Sequence, residues 1–264
     1  MKKLNILALL LVTANAYATP GISNRHVELE EIPLTKAFVP PMGFDDNDTV
    51  QFVVTGYLPN ACYQLAETVV TEDREHSAFR IKQKAIRNTE GICAEIDSLP
   101  AHLLVAVPFT NEVNVGRLNA GEYTVLYDRN YQGNIAPEVR SFSVSPALRP
   151  SVDNVQYAAV SDASMSDVER SDGDIFATIA GSLTSSCTEL NSDIYVSKRD
   201  DVVVVLPGVS VSESFLCAFV LRPFERVVNL GRFIEGSYLL HVRSMSGRAV
   251  NKVFSVQGSI GGRR

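Results

Sequence analysis

The sequence predicts an all-β protein made of two tandem antiparallel β-sandwiches, each closed by one internal disulfide. Three observations predict this fold class. Apolar side chains alternate with a period of two, four cysteines form two pairs with nearly equal gaps, and blocks of the first half recur in the second. No long segment with a period of 3.6 residues competes with the strand pattern. The 264 residues are enough for two domains of ordinary size.

The composition limits the classes of partner. With 45% hydrophobic and 20% charged residues, the chain falls in the range of ordinary globular proteins. The formal net charge of −6 argues against nucleic acid as the main partner. A phosphate-binding face needs clustered lysine and arginine side chains, which this balance does not favour.

Residues 1–18 have the pattern of a cleaved secretory signal peptide of the bacterial Sec type. Lys2 and Lys3 precede a short apolar stretch, and small residues at Ala16 and Ala18 offer a cleavage site. The stretch is too short for a membrane span, and no later stretch reaches 18 consecutive apolar residues. We therefore expect a periplasmic or secreted protein with no membrane span in the mature chain. The alternative is a buried N-terminal helix.

The cysteine spacing indicates one unit used twice. Cys62 and Cys93 are 31 residues apart, and Cys187 and Cys217 are 30 apart. Eight of the 16 residues at 108–123 are identical in 223–238, and shorter matches join 50–62 to 175–187 and 142–144 to 254–256. Bridges within each unit, Cys62–Cys93 and Cys187–Cys217, are therefore expected in an oxidising compartment. The alternative, four thiols on one zinc ion, lacks any CxxC pair.

The duplication predicts the domain boundaries. Residues 27–144 and 152–258 form the two repeats, and a linker with two prolines, residues 145–151, joins them. A short N-terminal segment, 19–26, and a C-terminal tail, 259–264, complete the chain.

The strands have one apolar face each. In residues 50–56 this face is Val50, Phe52 and Val54, and in residues 122–127 it includes Val125. Hairpins are expected around the polar turns at residues 72–77 and 198–201. The same alternation turns His241 towards solvent. Seven or so short strands in about 110 residues indicate a two-sheet sandwich.

The stretches Leu118-x-x-Gly121-x-Tyr123 and Phe233-x-x-Gly236-x-Tyr238 resemble immunoglobulin-like and fibronectin-III-like modules. The resemblance implies that each tyrosine hydroxyl bonds back to the backbone where the penultimate strand begins. The chain departs from the antibody type because it has no tryptophan and its cysteine gaps are too short for a bridge between the two sheets. Each disulfide is expected to hold a neighbouring strand or loop instead.

No catalytic residue and no cofactor is predicted. The histidines have no metal-binding spacing, and nucleophile-elbow, dinucleotide-binding and P-loop patterns are absent. Acidic turns precede two equivalent strands and could bind calcium, although the ligand set is incomplete and a solvated turn is favoured. The calcium candidates are Asp45, Asp46, Asp48, Asp172 and Asp174.

One loop differs between the repeats. Fourteen residues separate Cys93 from Pro108, whereas five separate Cys217 from Pro223. The extra residues lie in the apolar run 95–107, which could form an added edge strand, extra core or a contact surface for a partner. A second candidate is the tip of the hairpin at residues 128–134. The candidate partner-binding residues are His102, Leu103, Leu104, Phe109, Arg129 and Tyr131.

These observations favour a non-enzymatic exported protein that binds a protein or glycan of the cell envelope, or has a structural role there. A protease inhibitor presenting residues 94–107 or 129–134 is one alternative. A carbohydrate-binding module with Tyr131 and Phe109 as stacking platforms is another. An enzyme whose residues converge from distant positions is a third.

Overall fold

The computed structural model describes residues 27–100, 103–131, 133–148, 155–165, 173–212 and 216–258. The predicted signal peptide, the N-terminal segment, the C-terminal tail and residues 149–151 of the predicted linker lie outside these residues. The prediction of an all-β sandwich protein is confirmed, because strands dominate and the described residues contain one short helix, α1 (Ile92–Asp97). No helix of this part of the chain is long and apolar enough to cross a membrane.

The first half folds into two facing sheets. Sheet A contains β5, β6, β8 and β9 with β1 added on β6, and sheet B contains β2, β4 and β7. A single residue pair, Leu34 with Arg129, joins sheet B to sheet A, and the short β3 pairs with β9. The strands are β1 (Val27–Ile32), β2 (Leu34–Phe38), β3 (Phe44–Asp45), β4 (Val50–Leu58), β5 (Tyr63–Asp73), β6 (Ala78–Asn88), β7 (Val107–Gly116), β8 (Gly121–Tyr131) and β9 (Asn134–Ser145).

The second half has the same plan. Sheet C contains β13, β14, β17 and β18, sheet D contains β10, β11 and β16, and β12 pairs separately with β15. The strands are β10 (Ala159–Met165), β11 (Ile175–Leu183), β12 (Thr188–Leu190), β13 (Tyr195–Arg199), β14 (Val202–Leu206), β15 (Val209–Val211), β16 (Arg222–Gly231), β17 (Gly236–Ser244) and β18 (Arg248–Val256).

The strand pairing differs from the prediction at one equivalent place in each half. The predicted hairpins are β5–β6 and β13–β14, but in each the second strand pairs in parallel with the penultimate strand of its half, β6 with β8 and β14 with β17. The expectation of purely antiparallel sheets is corrected accordingly. Apart from the short bridges of β2 to β8 and β3 to β9, the other pairings are antiparallel among the described strands.

Each half has its own hydrophobic core between its two sheets. The first core includes Phe52, Val125 and Phe142, and the second includes Ile179 and Leu240, with no residue shared. The hydroxyl of Tyr123 donates to the carbonyl of Asn119 at 2.9 Å, and Tyr238 donates to Ile234 at 3.0 Å. The tyrosine bonds that the resemblance implies are therefore present.

A third apolar cluster joins the halves. Sheet B packs its outer face on the outer face of sheet C, so that four sheets lie in the order A, B, C, D. The buried apolar residues of this joint are Phe38 and Val53 from sheet B and Val202, Val204 and Leu239 from sheet C. Burying these side chains removes apolar area from water, which is the main favourable term in association.

Ion pairs complete the joint. Arg243 donates to the Asp48 carboxylate with both side chains fully buried, and the guanidinium lies 5.8 Å from the ring of Phe44. At the other end of the joint, Lys36 contacts the Asp201 carboxylate at 3.0 Å. These two pairs neutralise charges that the joint removes from water.

His241 corrects the prediction of a solvent-facing side chain. Its phase in β17 is outward, as the alternation requires, but the outward face of sheet C is covered by the first half and the side chain is fully buried. Burial, assisted by the charge of Arg243, lowers the pKa of His241 to about 3. The neutral ring lies 2.7 Å, Nδ1 to Oδ1, from Asn251.

The halves stack with opposite strand directions. Asp48, just before β4, contacts Arg243 near the end of β17. Near the other end of β4, Thr55 pairs with Lys36, and Lys36 donates to Ser237 at the start of β17. The start of β4 therefore lies beside the end of β17. The end of β11 lies beside the end of β17, because Ser244 bonds to Val160 next to the β10–β11 pairing. The regions that follow β4 and β11 therefore lie at opposite ends of the molecule.

Candidate binding surfaces

The two predicted disulfides are confirmed. Cys62 bonds to Cys93, and Cys187 bonds to Cys217. Each first cysteine follows the central strand of a three-stranded sheet, β4 or β11, and each second cysteine begins the connection to the next edge strand. Each bridge therefore holds a connecting loop at the end of its sandwich, and the two bridged ends face away from each other.

The first bridged end carries an exposed apolar segment. Residues 92–106, called the first loop here, are described except for 101–102. They begin as α1 and contain no strand among the described residues, so the expectation of an added edge strand is corrected for 92–100 and 103–106. Ile92 is 71% exposed, Leu103 57% and Val105 78%, whereas Leu104 is partly buried. His102 lies outside the described residues. The segment thus adds surface to the sandwich end more than it adds core.

Phe109 does not belong to this surface. It is 8% exposed and belongs to the core of the first half. Its ring lies over Gly56, where a Cβ atom would approach the ring to 2.6 Å. The expectation that Phe109 is a stacking platform is therefore corrected, because its ring is buried in the core.

The tip of the β8–β9 hairpin presents the two other predicted residues. Tyr131 is 60% exposed, and the guanidinium of Arg129 lies 5.5 Å from the centre of its ring. Arg129 also donates to Glu138 at 2.9 Å. A cation over an aromatic face and an ion pair together orient Arg129 and favour one arrangement of the pair.

A row of alternating charges connects this tip to the joint. Glu138 contacts Arg140 at 2.6 Å, and Arg140 contacts Asp201 of the second half at 3.2 Å. Each of these side chains is at most about one-fifth exposed, so solvent screens them less than it screens surface pairs. The position of the tip is therefore coupled to the packing of the two halves.

The first loop and the hairpin tip lie at the same end of the first sandwich. Leu34 pairs with Gly56 near the end of β4 and with Arg129 near the end of β8. Cys62 follows β4 closely, so the bridge and the hairpin tip extend from the same edge. Of the predicted partner-binding residues, Leu103, Arg129 and Tyr131 therefore share this end of the molecule.

The second bridged end was not predicted as a site, although it exposes more apolar surface per residue. Residues 216–221, called the second loop here, include Leu216 at 90% exposure, Phe219 at 98% and Leu221 at 70%. The sequence signal is the unbroken apolar run around Cys217 in place of alternation. The comparison of cysteine-to-proline gaps points to the first loop instead, because the gap in the second half is the shorter one.

A cavity of about 300 Å³ lies in the second half, with Thr184 and Thr188, on either side of Cys187, in its lining. Its walls come from the start of β10, the end of β11, the β12–β15 pair and the β17–β18 turn, and none of its residues has a charged side chain at neutral pH. Burial raises the pKa of Tyr157, so this phenol is neutral, while the nearby Arg243 acts in the opposite direction. The lining residues are Gln156, Tyr157, Ala158, Ala159, Ser182, Leu183, Thr184, Thr188, Val209, Val211, Met245 and Ser246.

Two aspartates of the acidic turn in the first half have protein partners. Asp48 is neutralised by Arg243 and also accepts a hydrogen bond from the Asp45 amide at 2.7 Å, while Asp46 accepts from the Ala147 amide at 3.0 Å. These bonds correct the assignment of Asp48 as a cation ligand. Among the described residues, no group of three or more acidic, histidine or cysteine side chains is arranged to hold a metal ion.

The equivalent acidic turn of the second half is paired in a similar way. Asp174 accepts a hydrogen bond from Asn229 at 3.0 Å and lies 3.4 Å from Arg232. Asp172 lies outside the described residues. In both turns, described carboxylates therefore bond to protein groups.

The comparisons with known proteins agree with the fold. No curated protein and no solved structure matches the chain significantly. Residues 52–136 match the family model described as ORF11 beta-sandwich domain. The match runs from β4 to the start of β9, so this part of the first half is similar to the β-sandwich domain of that family.

Proposed function

We propose that this chain is an exported, non-enzymatic binding protein of a bacterial envelope, built from two immunoglobulin-like repeats at residues 27–144 and 152–258. It recognises a protein or glycan partner through the bridged end of the first repeat. The two formed disulfides support export, because such bridges persist in oxidising compartments. The signal-peptide pattern of residues 1–18 supports it as well.

One observation carries the binding role. Exposed apolar side chains of the first loop and the ordered Arg129–Tyr131 pair lie at the same end of a sandwich whose loop is held by a disulfide. Tyrosine and arginine are enriched among residues that dominate binding energies. A loop that is already fixed loses less conformational entropy when a partner binds.

The test compares variants of the mature protein in capture from an envelope extract. Val105→Asp and Tyr131→Ala alter the proposed surface, and Val227→Asp changes an equally apolar, 59% exposed position on sheet D. We expect the wild type and Val227→Asp to retain the same partner at several salt concentrations, and both surface variants to lose it. Equal capture by all four proteins, or no partner and no binding to a glycan array, would contradict the proposal.

A protease panel separates this function from inhibition. An inhibitor loop that enters an active site needs an extended backbone, whereas the first loop begins as α1 and the hairpin tip turns tightly at Gly133, where φ is +86°. We therefore expect no protease to be inhibited at micromolar protein. Inhibition that Val105→Asp or Tyr131→Ala abolishes would replace binding by inhibition as the function of this end.

A further inference from the structure

The second loop is held in a conformation that cannot bury its own side chains. The amide of Ala218 donates to the hydroxyl of Ser186, and the amide of Ser186 donates to the carbonyl of Ala218, both at 2.9 Å. The disulfide at Cys217 fixes the neighbouring residue. Leu216 and Phe219 lie on either side of these anchors, so large apolar side chains project from a fixed backbone. Contiguous exposed apolar surface of this kind marks an interaction site.

The neutral cavity is lined by neighbours in sequence of the residues that anchor this loop. The residues that anchor the loop, 185–187, stand between two lining residues of the cavity, Thr184 and Thr188. A cavity of about 150 Å³ is enough to hold a benzene ring. At about 300 Å³, the cavity has room for the ring of Phe219 and for part of a neighbouring side chain.

We propose that a second copy of this chain occupies the cavity, with Phe219 of each copy inserted beside Thr184 of the other. The projecting ring and the recess lie at the same end of the same half. A two-fold axis can therefore place the ring of each copy in the recess of the other, and these two contacts close the assembly as a dimer. The absence of charged side chains from the lining matters here. Two copies that each carry a net negative charge meet at a recess whose described lining has no charged side chain.

The dimer is independent of the proposed recognition surface. The second loop lies at the opposite end of the molecule from the first loop and the hairpin tip. Loss of self-association in a Phe219 variant would leave partner capture through Tyr131 intact. The two proposals therefore fail separately.

Sedimentation equilibrium of the mature protein tests the dimer from about 1 µM to about 200 µM. We expect a species of twice the monomer mass whose dissociation constant changes little with salt, because the contact is apolar. Phe219→Asp should raise the dissociation constant by about 30-fold or more, as expected for a central contact residue. Ile92→Asp, at an apolar position that is 71% exposed at the opposite end, is the control and should change it less than about 2-fold.

A complementation experiment identifies the recess. Thr184→Trp fills the cavity and should also dissociate the dimer, while circular dichroism verifies that both variants fold. A mixture of Phe219→Asp with Thr184→Trp should regain a dimer, because the first protein keeps its recess and the second keeps its ring. Failure of the mixture to associate would place Phe219 outside the cavity and overturn the proposal.

Two further results would also overturn it. A wild-type protein that stays monomeric over the whole concentration range has no such contact. Flotation of a monomer with vesicles of phosphatidylcholine and phosphatidylglycerol, lost on Phe219→Asp, would make a lipid surface the occupant of the second loop.

Discussion

Removing Arg243 should destabilise the protein far more than removing an exposed arginine. The guanidinium and the Asp48 carboxylate are 1% and 0% exposed, so neither can be solvated by water when its partner is lost. In Arg243→Met the aliphatic stem is largely retained, and the Asp48 carboxylate keeps the backbone amide of Asp45 as a donor. Breaking a buried pair in this way costs about 3–5 kcal/mol of the free energy of unfolding.

Urea unfolding at neutral pH measures this loss. The matched control is Arg232→Met, because Arg232 forms an ion pair with Asp174 at 3.4 Å but is 77% exposed, and we expect a loss below about 1 kcal/mol. The double variant with Asp48→Asn should be more stable than the sum of the single losses predicts, since it leaves no unpaired charge. A loss for Arg243→Met no larger than that for Arg232→Met would refute the assignment of Arg243 as a buried partner of Asp48.

Three further outcomes follow from the same structure. Replacing Cys62 and Cys93 by alanine should lower the free energy of unfolding by about 3.7 kcal/mol, because the bridge closes a loop of 31 residues; unchanged denaturation would contradict this. The pKa of His241 is about 3 in the folded state and 6.5 in the unfolded state. Between these two pH values the unfolded state binds more protons than the folded state. The free energy of unfolding therefore falls as the pH falls from 6.5 to about 3. The loss from pH 7 to pH 5 is about 2 kcal/mol, and His241→Gln should remove it whereas His76→Gln, on an exposed turn, should not. Val204→Arg places a charge in the joint, and calorimetry should show one unfolding transition for the wild type and two for the variant. The same single transition in both proteins would refute the packing of sheet B on sheet C.

Much of the fold could be predicted from the sequence because the duplication and the period-two pattern are local signals. Val50, Phe52 and Val54 lie in the core as their alternation requires. The parallel pairing of β14 with β17 could not be predicted, because hairpin signals identify two neighbouring strands but do not say which of them lies at the centre of the sheet.

The sequence contains a signal of the joint between the halves that an analysis of period-two alternation does not detect. Residues 202–205 are four consecutive valines, and Leu239 stands next to Leu240. An unbroken apolar run is typical of a strand with both faces covered. Alternation alone predicts that His241 faces solvent, because it assumes that the outward face of each sandwich is exposed to water.

The candidate site was predicted less completely, for a physical reason. A chain position near a bridge indicates a loop, but exposure depends on how the loop returns to the sheet. Phe109 is buried because Gly56 leaves room for its ring, whereas Phe219 is 98% exposed.

The joint has a consequence for anyone who separates the halves. Excised alone, the first half would present Phe38 and Val53 to water, and the second would present Val204 and Leu239, so either fragment should be prone to aggregate. The equivalent positions on the outermost sheets are already hydrophilic. Registers align Ser164 and Thr178 with the first pair and Arg80 and Thr124 with the second. Introducing these hydrophilic residues at the four apolar positions should therefore keep each excised fragment in solution.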